Sequence, residues 1–318
     1  MSKINVFNTV TSKSPISVII CSHSYERIQL LQKLVGQLLQ QPYLKEILLI
    51  IDHNSNLFTL LEKKYQNDIK IKVLKNQFQS GLSGARNTGV LKSKGKILAF
   101  LDDDVILTKK WSENLARSFH KSDTIAGVAG KIIPIWEKGP PNWLPPTFFS
   151  HFAGTEPNMT GEKEIPWTYG ANMVFWRHIF KEVGGFNLKL GRQNRKLIGH
   201  EEMEFCIRIR MKMPSKKIIY NPSATVYHIM ENKRKSISYL IATSFFKGAS
   251  AKLMKLLIHP YRITGNSLIK SFITREELRR KLACLKPNAK NRHQAFRQYI
   301  VLVVGCIAYF LGYSIKKL

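Results

Sequence analysis

Short apolar runs alternate with stretches of helical periodicity over the first hundred residues. "ISVIIC", "EILLIID", "IKVLKN" and "KILAFLD" are β-branched or leucine-rich runs of strand length, mostly continuous in apolar residues. Such runs predict strands buried on both faces, as in parallel sheets covered by helices. Between them, "RIQLLQKLVGQLLQQ" repeats apolar residues at helical spacing, and "SGARNTGVLKSKG" reads as a glycine-bounded helix. The order strand, helix, strand predicts an α/β fold. Further on, "YGANMVFWRHIFKEVGGF" predicts a strand running into a helix stopped by Gly184 and Gly185. "GHEEMEFCIRIRMK" predicts a helix with acids in its first turn, and "KIIYNPSATVYHI" predicts two short strands around a turn. "IWEKGPPNWLPP" reads as a Pro- and Trp-rich loop suited to covering a cleft.

Polar residues gather just after the predicted strand ends: Ser22 and His23 after the first, Asp52 to Ser55 after the second, and Asp102, Asp103 and Asp104 after the fourth. In open α/β sheets ligands bind outside the carboxyl ends of strands, so these loops predict a site. Three successive carboxylates at the edge of a core repel one another unless a cation or hydrogen bonds compensate.

The 50 Lys and Arg against 21 Asp and Glu give a net charge of +29, which predicts an anionic partner. The excess is strong beyond residue 229, where basic residues interleave with Ile237, Leu240, Ile241, Phe245, Leu253, Leu256 and Leu257, a membrane-surface pattern. Residues 299–315, "YIVLVVGCIAYFLGYSI", carry no charge and sit at the short limit for a membrane span. They could equally lie in the interface or pack as a core or dimer helix. The four cysteines form no CxxC pair, and no secretory pattern is visible, so a reducing cytoplasm is the expected compartment. One boundary is expected, dividing residues 1–230 from a basic helical extension over 231–318.

In their order and spacing, "ISVIICSHS", "IIDHNS", "SGLSGARNTGVLKSKGKILAFLDDD", "GANMVFWRHIFKEVGGFN", "GHEEMEFCIRIR" and "YNPSATVYH" resemble family 2 glycosyltransferases with the GT-A fold. The resemblance runs from residue 16 to 230. It implies a Rossmann-like, mostly parallel mixed sheet flanked by helices. It also implies inverting transfer of a sugar from a nucleotide-diphosphate donor to an acceptor hydroxyl. Asp102 and Asp104 would form the DxD, with Asp104 the direct ligand of Mn²⁺ or Mg²⁺, Asp102 and Asp103 nearer the ribose and sugar, and His228 a further metal ligand. Either ion would neutralise the charge developing on a departing nucleoside diphosphate.

In the same resemblance Glu201 and Glu202 stand where the family has Glu-Asp, so Glu202 is the candidate base and Glu201 the alternative. Ser22, Asp52, Arg86 and Asn87 fall at nucleotide-binding positions. Gly170 and Ala171, with Asn172, would floor the donor sugar, and Trp167 or Tyr169 could stack on the acceptor. Arg27 falls late in its loop and receives no role. The expected partners are a nucleotide-sugar donor, a glycan or lipid-linked acceptor, and an anionic membrane surface on the cytoplasmic side. Two alternatives remain open. A nucleotidyltransferase lacks its basic, Gly-rich phosphate loop after the first strand. A non-catalytic anion- or nucleic-acid-binding protein fits the charge but leaves the three aspartates unexplained.

Overall fold

The computed structural model describes residues 15–144, 154–155, 159–193, 196–258 and 292–315. The strands are β1 (Ile16–Ser22), β2 (Leu44–Ile51), β3 (Ile71–Lys75), β4 (Ile97–Asp102), β5 (Val105–Leu107), β6 (Ile125–Trp136), β7 (Lys163–Glu164), β8 (Asn172–Trp176) and β9 (Lys217–Met230). The helices are α1 (Ile28–Leu39), α2 (Ser55–Tyr65), α3 (Leu82–Lys92), α4 (Trp111–Phe119), α5 (Arg177–Val183), α6 (Glu201–Lys212), α7 (Ile237–Ile258) and α8 (Arg292–Ser314).

All nine strands join one mixed sheet in the order β3-β2-β1-β4-β8-β6-β9-β5, with β7 on β9. The first four pair in parallel, as their apolar runs require, and β8 enters antiparallel to both β4 and β6. Successive residues of β2 serve opposite faces. Ile47, Leu49 and Ile51 meet α1, α2 and α4 through Leu34, Leu57 and Trp111, while Leu48 and Ile50 share the core of Phe100, Phe175, Phe180 and Phe205 under α5 and α6. Helix α2 begins where the Asn54 side chain accepts from the Leu57 amide at 3.0 Å.

Two expectations are corrected. Strand β6 extends to Trp136, so the Ile135 and Trp136 assigned to the Pro- and Trp-rich loop belong to the sheet. The residues expected to form two short strands are a single strand, β9, whose register against β6 jumps between Gly130 and Ile132. The "NPSAT" stretch bulges out there, and its turn is closed by the Ser223 amide donating to the Asn221 side chain at 2.8 Å. A tract that reads as a turn is thus absorbed into a continuous strand.

Helices α7 and α8 pack against each other and against the sheet domain. Leu240, Val301 and Leu302 cluster with Trp136, Leu144 and Met230, while Met254 and Ile258 meet Leu190, Ile198 and Ile207. The two helices touch at glycines. A Cβ on Gly248 would collide with the Tyr309 carbonyl, and one on Gly312 with the Phe245 carbonyl.

Candidate active site

Parallel pairing of β2, β1 and β4 brings Asp52, Ser22 and Asp102 to one edge of the sheet. Asp102 closes β4, and Asp103 and Asp104 form the turn into β5. Strand β5 then pairs antiparallel with β9, setting Val105 opposite His228, and the Ile229 amide donates to the Asp104 carbonyl at 2.9 Å. This register delivers the imidazole to the turn: His228 Nε2 lies 2.8 Å from Asp104 Oδ1. One ligand atom each from Asp102, Asp104 and His228 lies within 4.8 Å of the others. Two carboxylates and an imidazole suit Mn²⁺ or Mg²⁺, the imidazole favouring the softer Mn²⁺.

Arg27 Nη1 lies 2.9 Å from Asp103 and 3.0 Å from Asp104, and its Nη2 lies 2.5 Å from Glu231. A 3-10 turn at Tyr25–Arg27, capped by Ser24, swings this guanidinium back over the aspartates. The Ser22 hydroxyl donates to Asp103 at 2.6 Å, and Arg234 reaches to 3.7 Å from Asp104. Burial opposes ionisation of Asp104, but His228, Arg27 and Arg234 outweigh it and hold its carboxyl well below the usual range. Burial pushes Asp103 the other way, upward, against the pull of Arg27. Asp102 is the most open of the three, its side chain 29% exposed.

Arg86 links Glu201 to the aspartate cluster. Its Nη1 lies 2.6 Å from Glu201, and its Nη2 donates to the Gly170 carbonyl at 3.3 Å and lies 3.7 Å from Asp102. Arg86 is therefore seated on carboxylates. Glu202 differs from Glu201: burial first, then the Glu201 charge, raises its carboxyl to about 8, against the pull of Arg86. His200, just before the pair, holds a left-handed backbone at φ 69°, a conformation that strains a non-glycine residue. Glu204 faces away from this chemistry, held by Arg208 at 2.7 Å.

Other expected residues lie nearby with partners of their own. Asp52 accepts from the Asn76 side chain at 2.7 Å and from the Gly81 amide at 2.9 Å, bracing the start of α3. Asn87 donates to the Phe186 carbonyl at 2.9 Å and accepts from the Phe186 amide at 2.8 Å, so it locks the turn after α5. Gly170 lies under Arg86, Ala171 is buried, and Asn172 is engaged by Trp111 and the Ala224 carbonyl. The Tyr169 hydroxyl points to the Met159 sulfur, and Trp167 packs partly buried beside it.

Arg27, Glu231 and Arg234 belong to the cluster although sequence reasoning gave them no part in it. Arg27 stood in the right loop but off the expected spacing, and Glu231 and Arg234 were submerged in a basic stretch. Arg192 and Tyr239, also unforeseen, hydrogen-bond to each other at the same rim.

The profile of glycosyl transferase family 2 matches residues 17–184, over half of the chain. The chain belongs to this family. It is therefore a glycosyltransferase, and the nucleotidyltransferase and nucleic-acid-binding alternatives draw no support from the match. A glucosyl-dolichyl phosphate glucuronosyltransferase of Haloferax volcanii is 28% identical over 261 residues, 81% of this chain and 83% of that protein. Among solved structures, a Pyrobaculum calidifontis mannosyltransferase in complex with GDP-Man and Mn²⁺ superposes with a TM-score of 0.61 at 13% identity, covering 94% of this chain and 75% of that one. TarS of S. aureus in complex with UDP-GlcNAc gives 0.57 at 14%, covering 94% and 89%. At these identities the structural matches establish a shared fold.

Proposed function

We propose that the chain is a metal-dependent, inverting glycosyltransferase that moves a sugar from a nucleotide-diphosphate donor to the hydroxyl of a lipid-linked or glycan acceptor at the cytoplasmic face of a membrane. The observation that carries this reading is the gathering of Asp102, Asp104 and His228 into one cluster that Arg86 links to Glu201, next to Glu202. Asp102, Asp104 and His228 would hold Mn²⁺ or Mg²⁺, which supplies positive charge to the departing diphosphate.

Glu202 takes the acceptor's proton. Glu201 is engaged in an ion pair with Arg86, whereas the raised Glu202 carboxyl lies near physiological pH, where a general base is most effective. Arg86 holds Glu201 in place and keeps its charge beside Glu202. A base on one side of the anomeric carbon and a leaving group on the other give inversion. Gly170 and Ala171 offer a floor with little side chain between sugar and backbone, and Ser22 and Asp52 border the nucleotide end. The dolichyl phosphate named for the Haloferax relative favours a lipid-linked acceptor.

The test is a thermal-shift titration with UDP-, GDP- and dTDP-sugars, with Mn²⁺ and then with EDTA, followed by NMR of the product's anomeric configuration. Donor at a hundred times its Kd should add about 2.7 kcal/mol of stability. Metal-dependent stabilisation by one nucleotide and an inverted product are expected. Stabilisation insensitive to EDTA would remove the metal from the reading, and a retained configuration would remove the single displacement.

A further inference from the structure

Helix α8 has two unlike faces. Val301, Leu302, Gly305, Ala308 and Gly312 are turned inward against α7 and the sheet domain. Phe296, Ile300, Val303, Ile307, Phe310 and Leu311 form a continuous outward stripe, Ile307 being 54% and Leu311 61% exposed. On α7, Ile241 is also 39% exposed. Isolated exposed apolar residues need no explanation, but a row of this length does.

Charge selects the occupant. Residues 237–318 hold fifteen Lys and Arg against Glu276 and Glu277 as their acids. Among the described residues, the exposed Arg292 and Arg297 stand on α8 itself, so two copies meeting through this face would bring like charge to like, whereas an anionic surface gains from each base. Packing selects the orientation. By length and composition α8 passes as a membrane span, yet Gln294 and Gln298 both donate to the Asn142 carbonyl at 3.2 Å, and Val301 and Leu302 sit against Trp136 and Leu144. A helix fastened along its side to the sheet domain cannot cross a bilayer without carrying that domain's polar surface into hydrocarbon.

We propose that the outward face of α8 docks in plane on an anionic lipid bilayer, its apolar stripe sunk to the headgroup boundary and the exposed Arg292 and Arg297 of the same helix on the headgroups, with no segment crossing. This deepens the membrane part of the proposed function and rests on that reading for its biological setting. Its test needs neither donor nor metal, so the two fail independently.

The test mixes full-length protein with preformed phosphatidylcholine vesicles, with or without roughly a third phosphatidylglycerol. Co-sedimentation is expected with the anionic vesicles, weakened by salt, and at least about tenfold lower for the double variant Ile307→Glu, Leu311→Glu, whose thermal melt should match the parent because both residues are exposed. The milder pair Ile307→Ser, Leu311→Ser provides a second reading should the glutamates disturb the fold. Trypsin added outside the vesicles should still cleave after Lys316 and Lys317, read as loss of the C-terminal residues by mass spectrometry. Equal binding by parent and folded variants, or equal binding to neutral vesicles, would overturn the proposal. So would a lipid-free dimer that the variants turn into monomers, or a C-terminus protected from external trypsin.

Discussion

Asp104 lies almost wholly buried between His228, Arg27 and Arg234, whereas Asp102 keeps part of its side chain open at the cleft. The two aspartates should therefore answer an amide substitution differently. Asp102→Asn removes a ligand from a solvated position, so metal-dependent turnover should fall by about 10² or more while the melting temperature stays near the parent's. Asp104→Asn also removes the carboxylate facing Arg234 and one of the three around Arg27, and breaking a buried ion pair costs about 3–5 kcal/mol. Its turnover loss should come with a lower denaturant midpoint. An Asp104→Asn protein as stable as the parent would show that Arg27 and Arg234 are satisfied elsewhere.

Glu202 gives a prediction in pH. Its carboxyl is raised from an ordinary 4.5 to about 8 in the folded chain, so the native state binds more protons than the unfolded state between those values. Stability from this group is present below 4.5 and is lost as pH rises toward 8. Glu202→Gln should remove that loss, so its denaturation midpoint should fall less than the parent's between pH 5 and roughly pH 8. Its turnover should drop by about 10² to 10⁴ with donor binding kept, and in the parent turnover should climb with pH through the same region. Identical midpoint profiles for parent and variant would place the shifted group elsewhere. Much of this residue chemistry was legible: an Asp triplet after an apolar strand and an acidic pair opening a helix carry their meaning locally. The contrast in surroundings between Glu201 and Glu202 was not, because it depends on Arg86, which is more than a hundred residues away in the chain.

At the scale of elements, Glu46 shows how β2 is tied to its neighbours. It accepts from Ser17 at 2.8 Å, from Lys72 at 2.6 Å and from the Lys94 amide at 2.5 Å, joining β1, β3 and the turn before β4. Burial alone would raise its carboxyl, but Lys72, Ser17 and the Lys94 amide lower it overall from 4.5. A depressed carboxyl contributes stability that is present above 4.5 and lost as pH falls below it. Glu46→Gln should cost about 1–3 kcal/mol at neutral pH and show a shallower acid transition, checked by urea unfolding at several pH values. An unchanged midpoint would make the cluster incidental. The strands around Glu46 could be read from composition because burial on both faces leaves continuous apolar runs. Strand β9 could not, since pairing with β6 overrides the turn preference of Asn221, Pro222 and Ser223.

For the whole molecule, the packed pair of α7 and α8 is the part most sensitive to volume. Backbone meets backbone at Gly248 and Gly312, so Gly312→Ile has no side chain that can yield to it. It should lower the melting temperature by several degrees, corresponding to about 1–3 kcal/mol of overpacking, and free α8 for proteolysis. A parent-like melt and protease resistance would show that the helices separate without cost. The short segment between the end of β9 at Met230 and the start of α7 at Ile237 supplies Glu231 to Arg27 and Arg234 to Asp104. The basic extension is thus physically continuous with the acidic cluster, though its charge pattern alone describes only a surface.

The family, the α/β order of elements, the carboxylates at the strand ends and the basic, apolar character of the last third are written in local periodicity and short spacing. That Arg27 pairs with Asp103 and Asp104, that Arg86 holds Glu201, that His228 reaches Asp104, and that α8 turns one apolar face inward and one outward emerge from the folded arrangement. Those outcomes depend on strand register and helix crossing, which place atoms far apart in the chain within a few ångströms. The energies of buried charge and close packing are set by that proximity.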